Sequence, residues 1–178
     1  MAEGKSPDSF ERSGIPGAVE IRRVREEDAA AYLAIGEYAV RETLSMATLG
    51  MTEEEARETV ADAVVRNLPF FVAVVDGKVI GWGHALPYRM EPVKHMAPVH
   101  ISILPGYQGA RLGTTLLHQI VEAARAIGLQ RIETDVVAAH ASAVRLVEAY
   151  GFQHEGLRPR SIYLAGRYWD VACLGLLL

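Results

Sequence analysis

The sequence predicts an α/β fold in which a mixed sheet and its helices form a single domain. Three observations support this prediction. The chain has 178 residues, a length that suits one domain. Hydrophobic residues make up 50% of the chain, which is enough to bury a substantial core. Short apolar runs alternate with segments of helical period, in the order strand, two helices, three strands, helix, strand, helix and two strands.

The first part of the chain predicts one strand and two helices. Val19–Val24 begins with the alternation of a strand. Acidic residues at 26–28 suit the first turn of a helix, and an Ala-rich segment continues this helix to about Val40. Thr52 and Glu55 have the spacing of a capping box, in which each side chain bonds to the backbone N–H of the other. The second helix begins there and ends before residue 69, a proline.

The remainder of the chain predicts a hairpin followed by alternating strands and helices. Asp76-Gly77 joins two apolar runs, Phe70–Val75 and Val79–Leu86, and this dipeptide favours a tight β-turn. No internal repeat is present. The later elements are a strand at Pro98–Leu104, a helix from about Leu112 to Ile127, a strand at Ile132–Val137, a helix at Ser142–Tyr150, and a closing hairpin that pairs the region of Tyr163 with Tyr168–Leu177.

Composition and charge argue against several classes of protein. The formal net charge is −4 and Lys and Arg form no run, so nucleic acid is not an expected partner. Residues 1–17 are expected to form a flexible tail ahead of a single domain at 18–178. The tail lacks the apolar segment of a signal peptide, and the apolar runs are too short to span a membrane, so no membrane association is expected. The single cysteine, Cys173, suits a reducing compartment, which predicts a cytoplasmic location.

The segment Gln108–Thr114 lies between a predicted strand and a predicted helix. Gly109, Ala110 and Gly113 keep bulky side chains out of this loop, and Arg111 adds a positive charge. The first N–H groups of a helix have no partner within the helix, and the helix dipole adds partial positive charge there. A phosphate or pyrophosphate is therefore the expected ligand. An ordinary strand-to-helix turn, whose glycines serve backbone geometry alone, is the alternative.

Three motifs at matching separations carry a resemblance that covers nearly the whole chain from residue 19 onward. Gln108–Gly113 matches the loop Arg/Gln-x-x-Gly-x-Gly/Ala, except that Arg111 replaces its first glycine. His140–Phe152 resembles an Asn-x-x-Ala…Leu-Tyr-x-x-x-Gly-Phe stretch, and Gly166–Asp170 resembles a Gly-x-Tyr-x-Asp ending. The chain thus resembles the GNAT superfamily of N-acetyltransferases, in particular the branch that acetylates amino acids and phosphinothricin-like compounds. The resemblance implies the GNAT fold, a mixed, mostly antiparallel central sheet of about seven strands flanked by about four helices.

The same resemblance implies acetyl-CoA as a co-substrate. The pantetheine arm would pair with the backbone of Ile101 and Ile103 like an added strand, and the Ile103 N–H could stabilise the oxyanion. His140 stands where Asn usually contacts the cofactor. The implied cofactor-binding residues are Ile101, Ile103, Gln108, Gly109, Ala110, Arg111, Leu112, Gly113, Thr114 and His140. No metal is expected, since the scattered histidines lack metal-ligand spacing.

Two further positions depart from the family pattern. Val147 stands where many members have Tyr, the residue proposed to protonate the leaving thiolate. Pro98 stands where the phosphinothricin branch has Glu. A free thiol titrates near about 8.5, so coenzyme A can leave without an acid at Val147.

Three residues are candidates for proton transfer, and each has a structural alternative. Asp135 lies where relatives that acetylate protein amines carry Glu, but a polar strand position can also face solvent or hold a structural partner. His100 lies on the strand that leads to the loop and suits a general base, since imidazole titrates near about 6.5; the alternative is a buried, hydrogen-bonded histidine. Tyr150, one helical turn beyond Val147, could be a displaced acid or a core residue.

These inferences predict an enzyme that moves the acetyl group of acetyl-CoA to a primary amine by direct attack. The resemblance favours a small molecule such as an amino acid or a related toxin as the acceptor. The apolar makeup of Ser45–Met51, where this fold usually closes over the acceptor, also suggests a small or partly apolar amine. A protein N-terminus or a lysine is the alternative acceptor. A non-catalytic acyl-CoA-binding sensor is the alternative class, and a homodimer is left open.

Overall fold

One mixed sheet organises the chain in the structure, a computed structural model that describes residues 9–10, 17–108 and 111–178. Within these residues the strands are β1 (Ser9–Phe10), β2 (Val19–Arg23), β3 (Phe70–Val75), β4 (Lys78–Ala85), β5 (Met96–Ile103), β6 (Arg131–Val137), β7 (Gln153–Leu164) and β8 (Arg167–Leu177). Their spatial order is β1-β2-β3-β4-β5-β6-β8-β7. Neighbouring strands are antiparallel except for β5 and β6, which are parallel.

Helices cover both faces of this sheet. They are α1 (Ala29–Thr43), α2 (Glu53–Val65), α3 (Leu112–Ala126) and α4 (Ala141–Tyr150). On one face, Tyr32 of α1 meets the rings of Phe70 and Trp82 edge-on, and α2 adds Val60 to the same core. On the other face, the apolar stripe of α3 packs with the sheet and with Val147 of α4. The predicted mixed sheet flanked by four helices is confirmed, and the seven predicted strands correspond to β2–β8.

Local signals in the sequence place several element ends correctly. Thr52 Oγ1 accepts a hydrogen bond from the Glu55 N–H at 3.2 Å, and the Glu55 carboxylate accepts one from the Thr52 N–H at 2.7 Å, so the capping box at α2 is confirmed. Asp76 and Gly77 both have positive φ, 48° and 76°, as the tight turn between β3 and β4 requires.

The strand that begins the closing hairpin is longer than the sequence predicts. The sequence placed a closing strand only around Tyr163, whereas β7 begins at Gln153 and has 12 residues. The sequence pattern missed the first part because nearly all side chains of β7 are exposed, so no apolar periodicity marks it. A register shift between Arg158 and Ile162, with Arg160 at φ 52°, also bends the strand.

The expected tail, residues 1–17, lies outside the described residues, apart from residues 9–10, which pair with β2, and residue 17.

The separation of β5 from β6 is the feature that positions the site. Their pairing ends at Pro98 and Glu133. Beyond this point β5 stays paired with β4 as far as Ile103, while β6 pairs only with β8. The two strands therefore diverge and leave an opening in the middle of the sheet. Gly83 of β4 lets α3 pack closely on the sheet, since an added Cβ would lie 2.8 Å from Ile120 Cδ1.

Candidate active site

A cavity of about 300 Å³ occupies the opening between β5 and β6. Its walls come from both strands, from α3 and α4, from β7 and β8, and from the loop after α1. Most of the lining is apolar, and its ionisable members are His100, Asp135, His140 and Arg158. The lining residues are Leu44, Ser45, Met46, Val99, His100, Ile101, Leu117, Thr134, Asp135, Val136, Val137, His140, Ala143, Leu146, Val147, Arg158, Ser161, Ile162 and Val171.

Beyond Pro98 the backbone of β5 faces this opening without a neighbouring strand on that side. The Leu104 N–H donates to the Ile80 carbonyl at 2.9 Å, so Leu104 faces β4. Peptide groups alternate along an antiparallel strand, and those of Ile101 and Ile103 therefore point away from β4, toward the opening. The side chain of Gln108 donates to the Ile103 carbonyl at 2.9 Å, on this same side. An extended ligand could pair with this edge of β5 as an added strand would.

The first turn of α3 adjoins this edge. The Thr115 N–H donates to the Arg111 carbonyl at 3.0 Å, and this bond starts the helical ladder. The N–H groups of Leu112, Gly113 and Thr114 belong to the first turn, where donors have no partner within the helix. Such a turn favours an anion through its N–H groups and its dipole.

The loop residues before and within this turn have distinct roles. Arg111 has φ 58°, a left-handed conformation that glycine adopts without strain. Gly113 permits close packing of α3 on α4, since an added Cβ would lie 2.7 Å from Leu146 Cδ1. Thr114 is exposed. The predicted cofactor residues Gly109 and Ala110 lie outside the described residues.

His100 projects into the cavity from β5. Burial lowers its pKa below the ordinary value of an imidazole, and the negative charge of Asp135 partly opposes this effect. The His100 ring is therefore neutral near pH 7 and can accept a proton. The neutral His100 ring thus has the protonation state that a general base needs.

Asp135 reaches the cavity from β6, where Arg158 of β7 donates a hydrogen bond to its carboxylate. The two side chains are half exposed, at 52% for Asp135 and 53% for Arg158. The two expectations for Asp135 meet in this geometry, since it faces the cavity and also has a structural partner. Arg158 was not predicted, because it lies on the part of β7 that the apolar pattern does not reveal.

His140, which directly precedes α4, and Val147 within α4 both line the cavity. The His140 carbonyl accepts hydrogen bonds from the N–H groups of Ala143 and Val144, at 3.0 and 3.2 Å, and so begins the helix. Burial lowers the pKa of His140, which keeps its ring neutral near pH 7. Val147 presents an apolar surface where a tyrosine would present a hydroxyl group.

Tyr150, the third predicted proton-transfer residue, is not among the residues that line the cavity. Its hydroxyl group lies 3.2 Å from Nδ1 of His118, which joins α4 to α3. Burial raises the pKa of this hydroxyl group. The structure thus brings His100, Asp135 and His140 to one cavity and leaves Tyr150 outside it; the catalytic and binding roles of these residues stay predictions.

The described part of the chain offers neither a metal site nor a membrane-spanning helix. Among residues 9–10, 17–108 and 111–178, no group of three or more His, Cys, Asp or Glu could hold a metal ion. No helix within the same ranges is both long enough and apolar enough to cross a membrane.

Comparison with known proteins shows the family to which the chain belongs. The model of the acetyltransferase (GNAT) family matches residues 39–152, which is more than half of the chain. The chain therefore belongs to the GNAT family of acetyltransferases. It is similar to the phosphinothricin N-acetyltransferase of Streptomyces coelicolor, with 27% identity over 166 residues that cover 89% of this chain and 96% of that protein.

Solved structures agree with this assignment. The ribosomal-protein-alanine N-acetyltransferase of Brucella melitensis matches with a TM-score of 0.80 and 26% identity, over 89% of this chain and 99% of that one. A phosphinothricin acetyltransferase of Sinorhizobium meliloti in complex with acetyl-CoA matches with a TM-score of 0.82 and 23% identity, over 90% of this chain and 88% of that one. The chain is an acetyl-CoA-dependent N-acetyltransferase, so the predicted enzyme class and co-substrate are confirmed.

The residues present fit this co-substrate. The first turn of α3 and the charge of Arg111 suit a pyrophosphate, and the open edge of β5 at Ile101 and Ile103 suits the amide groups of pantetheine. The wall between α3 and α4 is apolar at Leu117 and Leu146, which suits the end of the thioester arm.

Proposed function

We propose that the chain acetylates the primary amine of a small molecule that also carries an anionic group, such as an amino acid or a related toxin. One observation carries this proposal: the cavity holds one acid, Asp135, one cation, Arg158, and the neutral ring of His100 in walls that are otherwise mainly apolar. A charged ligand enters apolar surroundings only where its charges find partners. An ammonium and a carboxylate on one small molecule match this pair of side chains.

Each of the three side chains has a role in this proposal. The neutral ring of His100 takes the proton that the amine gives up. Asp135 attracts the ammonium form of the acceptor and stabilises the imidazolium that His100 becomes. Arg158 binds the anionic group of the acceptor, and the guanidinium keeps its charge throughout because it does not deprotonate in proteins.

The edge of β5 and the first turn of α3 have the roles that concern acetyl-CoA. Bound acetyl-CoA supplies a thioester whose carbonyl carbon the amine attacks. We assign the Ile103 N–H to the oxyanion that forms there, and the first turn of α3, with Arg111, to the pyrophosphate. No side chain at Val147 can donate a proton, which is compatible with a thiol that titrates near about 8.5 as the leaving group.

The remaining expectations are part of the same proposal. We propose a tail at 1–17 ahead of a single domain at 18–178. We also propose a cytoplasmic location, which suits the single cysteine. A homodimer stays open. A protein N-terminus or a lysine is the second acceptor class, since one matched structure is that of an enzyme named for ribosomal-protein alanine.

Release of free thiol from acetyl-CoA tests the proposal. The panel contains α-amino acids, the same amino acids with the carboxylate converted to an amide, and peptides that offer an N-terminus or a lysine. Turnover of the amino acids, with loss of turnover on amidation, is the expected result. Turnover of peptides alone would transfer the activity to the second acceptor class.

A further inference from the structure

His84 and His100 form a buried pair of rings across two strands. They are direct register partners on β4 and β5, and their ring centroids lie 5.5 Å apart at an interplanar angle of 65°. His100 lines the cavity, whereas His84 lies behind it in the core and is only 5% exposed. His84 thus contacts the back of the ring that we assign as the general base.

Aromatic side chains hold the His84 ring in one orientation. It stacks on Trp82 with centroids 5.2 Å apart and an interplanar angle of 3°. Phe70 and Tyr32 meet it edge-on, with centroids 4.9 and 5.8 Å away. A phenylalanine would fill this site without burying a polar atom, so packing alone does not account for an imidazole here.

The two nitrogen atoms of His84 have different surroundings. Nε2 lies 3.4 Å from the hydroxyl oxygen of Tyr32. Nδ1 is buried and has no hydrogen-bond partner in the part of the chain that the structure describes. Tyr32 therefore holds the Nε2 end of the ring by a hydrogen bond in which either group can be the donor.

We propose that His84 is a positioning residue for His100. Tyr32 holds the His84 ring at Nε2, and the ring presents a neutral imidazole edge-on to the His100 ring. This neutral neighbour fixes the orientation of His100 and stabilises the positive charge that His100 gains from the acceptor amine. The proposal rests on the role of His100 in the proposed function.

The electrostatics around the pair agree with this role. Burial, together with the proximity of His100, lowers the pKa of His84 well below its ordinary value, so His84 stays neutral while His100 titrates. On the cavity side, the charged groups near His100 are Asp135 from β6 and Arg158, which pairs with it, from β7. On the core side the ionisable groups are His84 from β4 and Tyr32 from α1.

Nuclear magnetic resonance of the histidine side-chain nitrogens in the full chain tests the pair without any need for turnover. We expect His84 to be neutral throughout the pH range over which His100 titrates. We expect the titration of His100 to move to lower pH in His84→Phe, because the imidazolium loses a polar neighbour. A His84 that becomes protonated together with His100, or an unchanged titration of His100, would overturn the proposal.

Kinetics supply the second readout. In His84→Phe, kcat should fall at least about tenfold, short of the 10²–10⁴ that a general base contributes, with the KM for acetyl-CoA unchanged. The acidic limb of the pH profile should move to lower pH, which a purely structural role would not produce. An unchanged pH profile in a folded His84→Phe would contradict the proposal.

Tyr32→Phe provides an independent variant should His84→Phe not fold. It keeps the aromatic ring and removes only the hydroxyl group that faces Nε2 of His84, so we expect the side-chain nitrogen resonances of His84 to move and the His100 titration to shift. No change in either property would count against the proposal. Full activity of His100→Asn would refute the assignment of His100 as the base. The titration of the histidine pair is measured without turnover, so its outcome is independent of that result.

Discussion

Gly36 of α1 lies directly against Thr48: a Cβ atom added to Gly36 would be 2.2 Å from Thr48 Oγ1. Thr48 is buried in the loop between α1 and α2. The same loop provides Ser45 and Met46 to the wall of the cavity. The close approach of Gly36 and Thr48 therefore fixes the position of this part of the cavity wall.

Gly36→Ala should shift this loop. We expect the free energy of unfolding to fall by about 1–3 kcal/mol, as is typical of overpacking. The KM for the acceptor amine should rise, while the affinity for acetyl-CoA stays unchanged, because we propose that this loop closes over the acceptor. Steady-state kinetics and thermal unfolding measure both effects. Glu37→Ala, at the neighbouring exposed position, is the control, and equal acceptor KM values for the two variants would contradict the prediction.

Thr114→Asp should separate folding from cofactor binding at the first turn of α3. A carboxylate in this turn stabilises the helix by about 0.3–1 kcal/mol, so the variant should be at least as stable as the wild type. The same carboxylate repels a pyrophosphate, and the Kd for acetyl-CoA should rise at least about tenfold. Thr114→Asn has nearly the same shape without the charge and should bind far better. Equal affinities of the two variants in calorimetry would remove this turn from the cofactor site.

Arg111 combines a strained backbone with a charge, and two substitutions separate these features. Arg111→Gly removes a left-handed conformation that costs about 1 kcal/mol, partly offset by the greater freedom of glycine in the unfolded chain, so its melting temperature should be unchanged or higher. Arg111→Gln keeps the backbone and removes the charge. Both should weaken acetyl-CoA binding and reduce its dependence on salt. Wild-type affinity in Arg111→Gln would mean that the guanidinium does not contact the cofactor.

The pH dependence of the reaction should report on His100. The base works only as neutral imidazole, and burial lowers the pKa of this ring. Activity should therefore persist below pH ~6.5, the ordinary value, and fall as the pH drops through the lowered pKa of His100.

His100→Asn should lower kcat by about 10²–10⁴ and lose this acidic limb. It should keep the limb that protonation of the acceptor amine itself produces. The measurement is kcat/KM against pH at saturating acetyl-CoA. His154→Asn, an exposed histidine on β7 that pairs with Glu148, should behave like the wild type. If the limb at the lowered pKa survives in His100→Asn, that limb belongs to another group.

Arg158→Gln should change the choice of acceptor. A hydrogen bond between charged groups contributes about 1.5–3 kcal/mol, so the KM for a carboxylate-bearing amine should rise roughly 10- to 150-fold. The KM for the same amine with its carboxylate amidated should barely change. Arg160→Gln is the matched control, because Arg160 lies on the same strand over the Tyr168 ring, away from the cavity lining. An equal rise for both acceptors would show that Arg158 acts through Asp135 and not on the acceptor.

Elements whose signals are local were predictable from the sequence. The capping box at Thr52 and the turn at Asp76-Gly77 depend on contacts within a few residues, and both are present. The apolar stripe of α3 was predictable as well, because a helix that packs on a sheet repeats its buried positions regularly. The first part of β7 was not, since an edge strand with exposed side chains has no such pattern.

The sequence by itself determined the class of fold, the family, and the position of the loop before α3, because each is written in residues that are close together along the chain. Tertiary structure alone decided which side chains share the cavity. His84 reaches His100 through the pairing of β4 with β5, and Arg158 reaches Asp135 across β8. Tyr150 turns to His118 instead. These neighbours follow from strand order and register, which bring together residues that no local pattern relates.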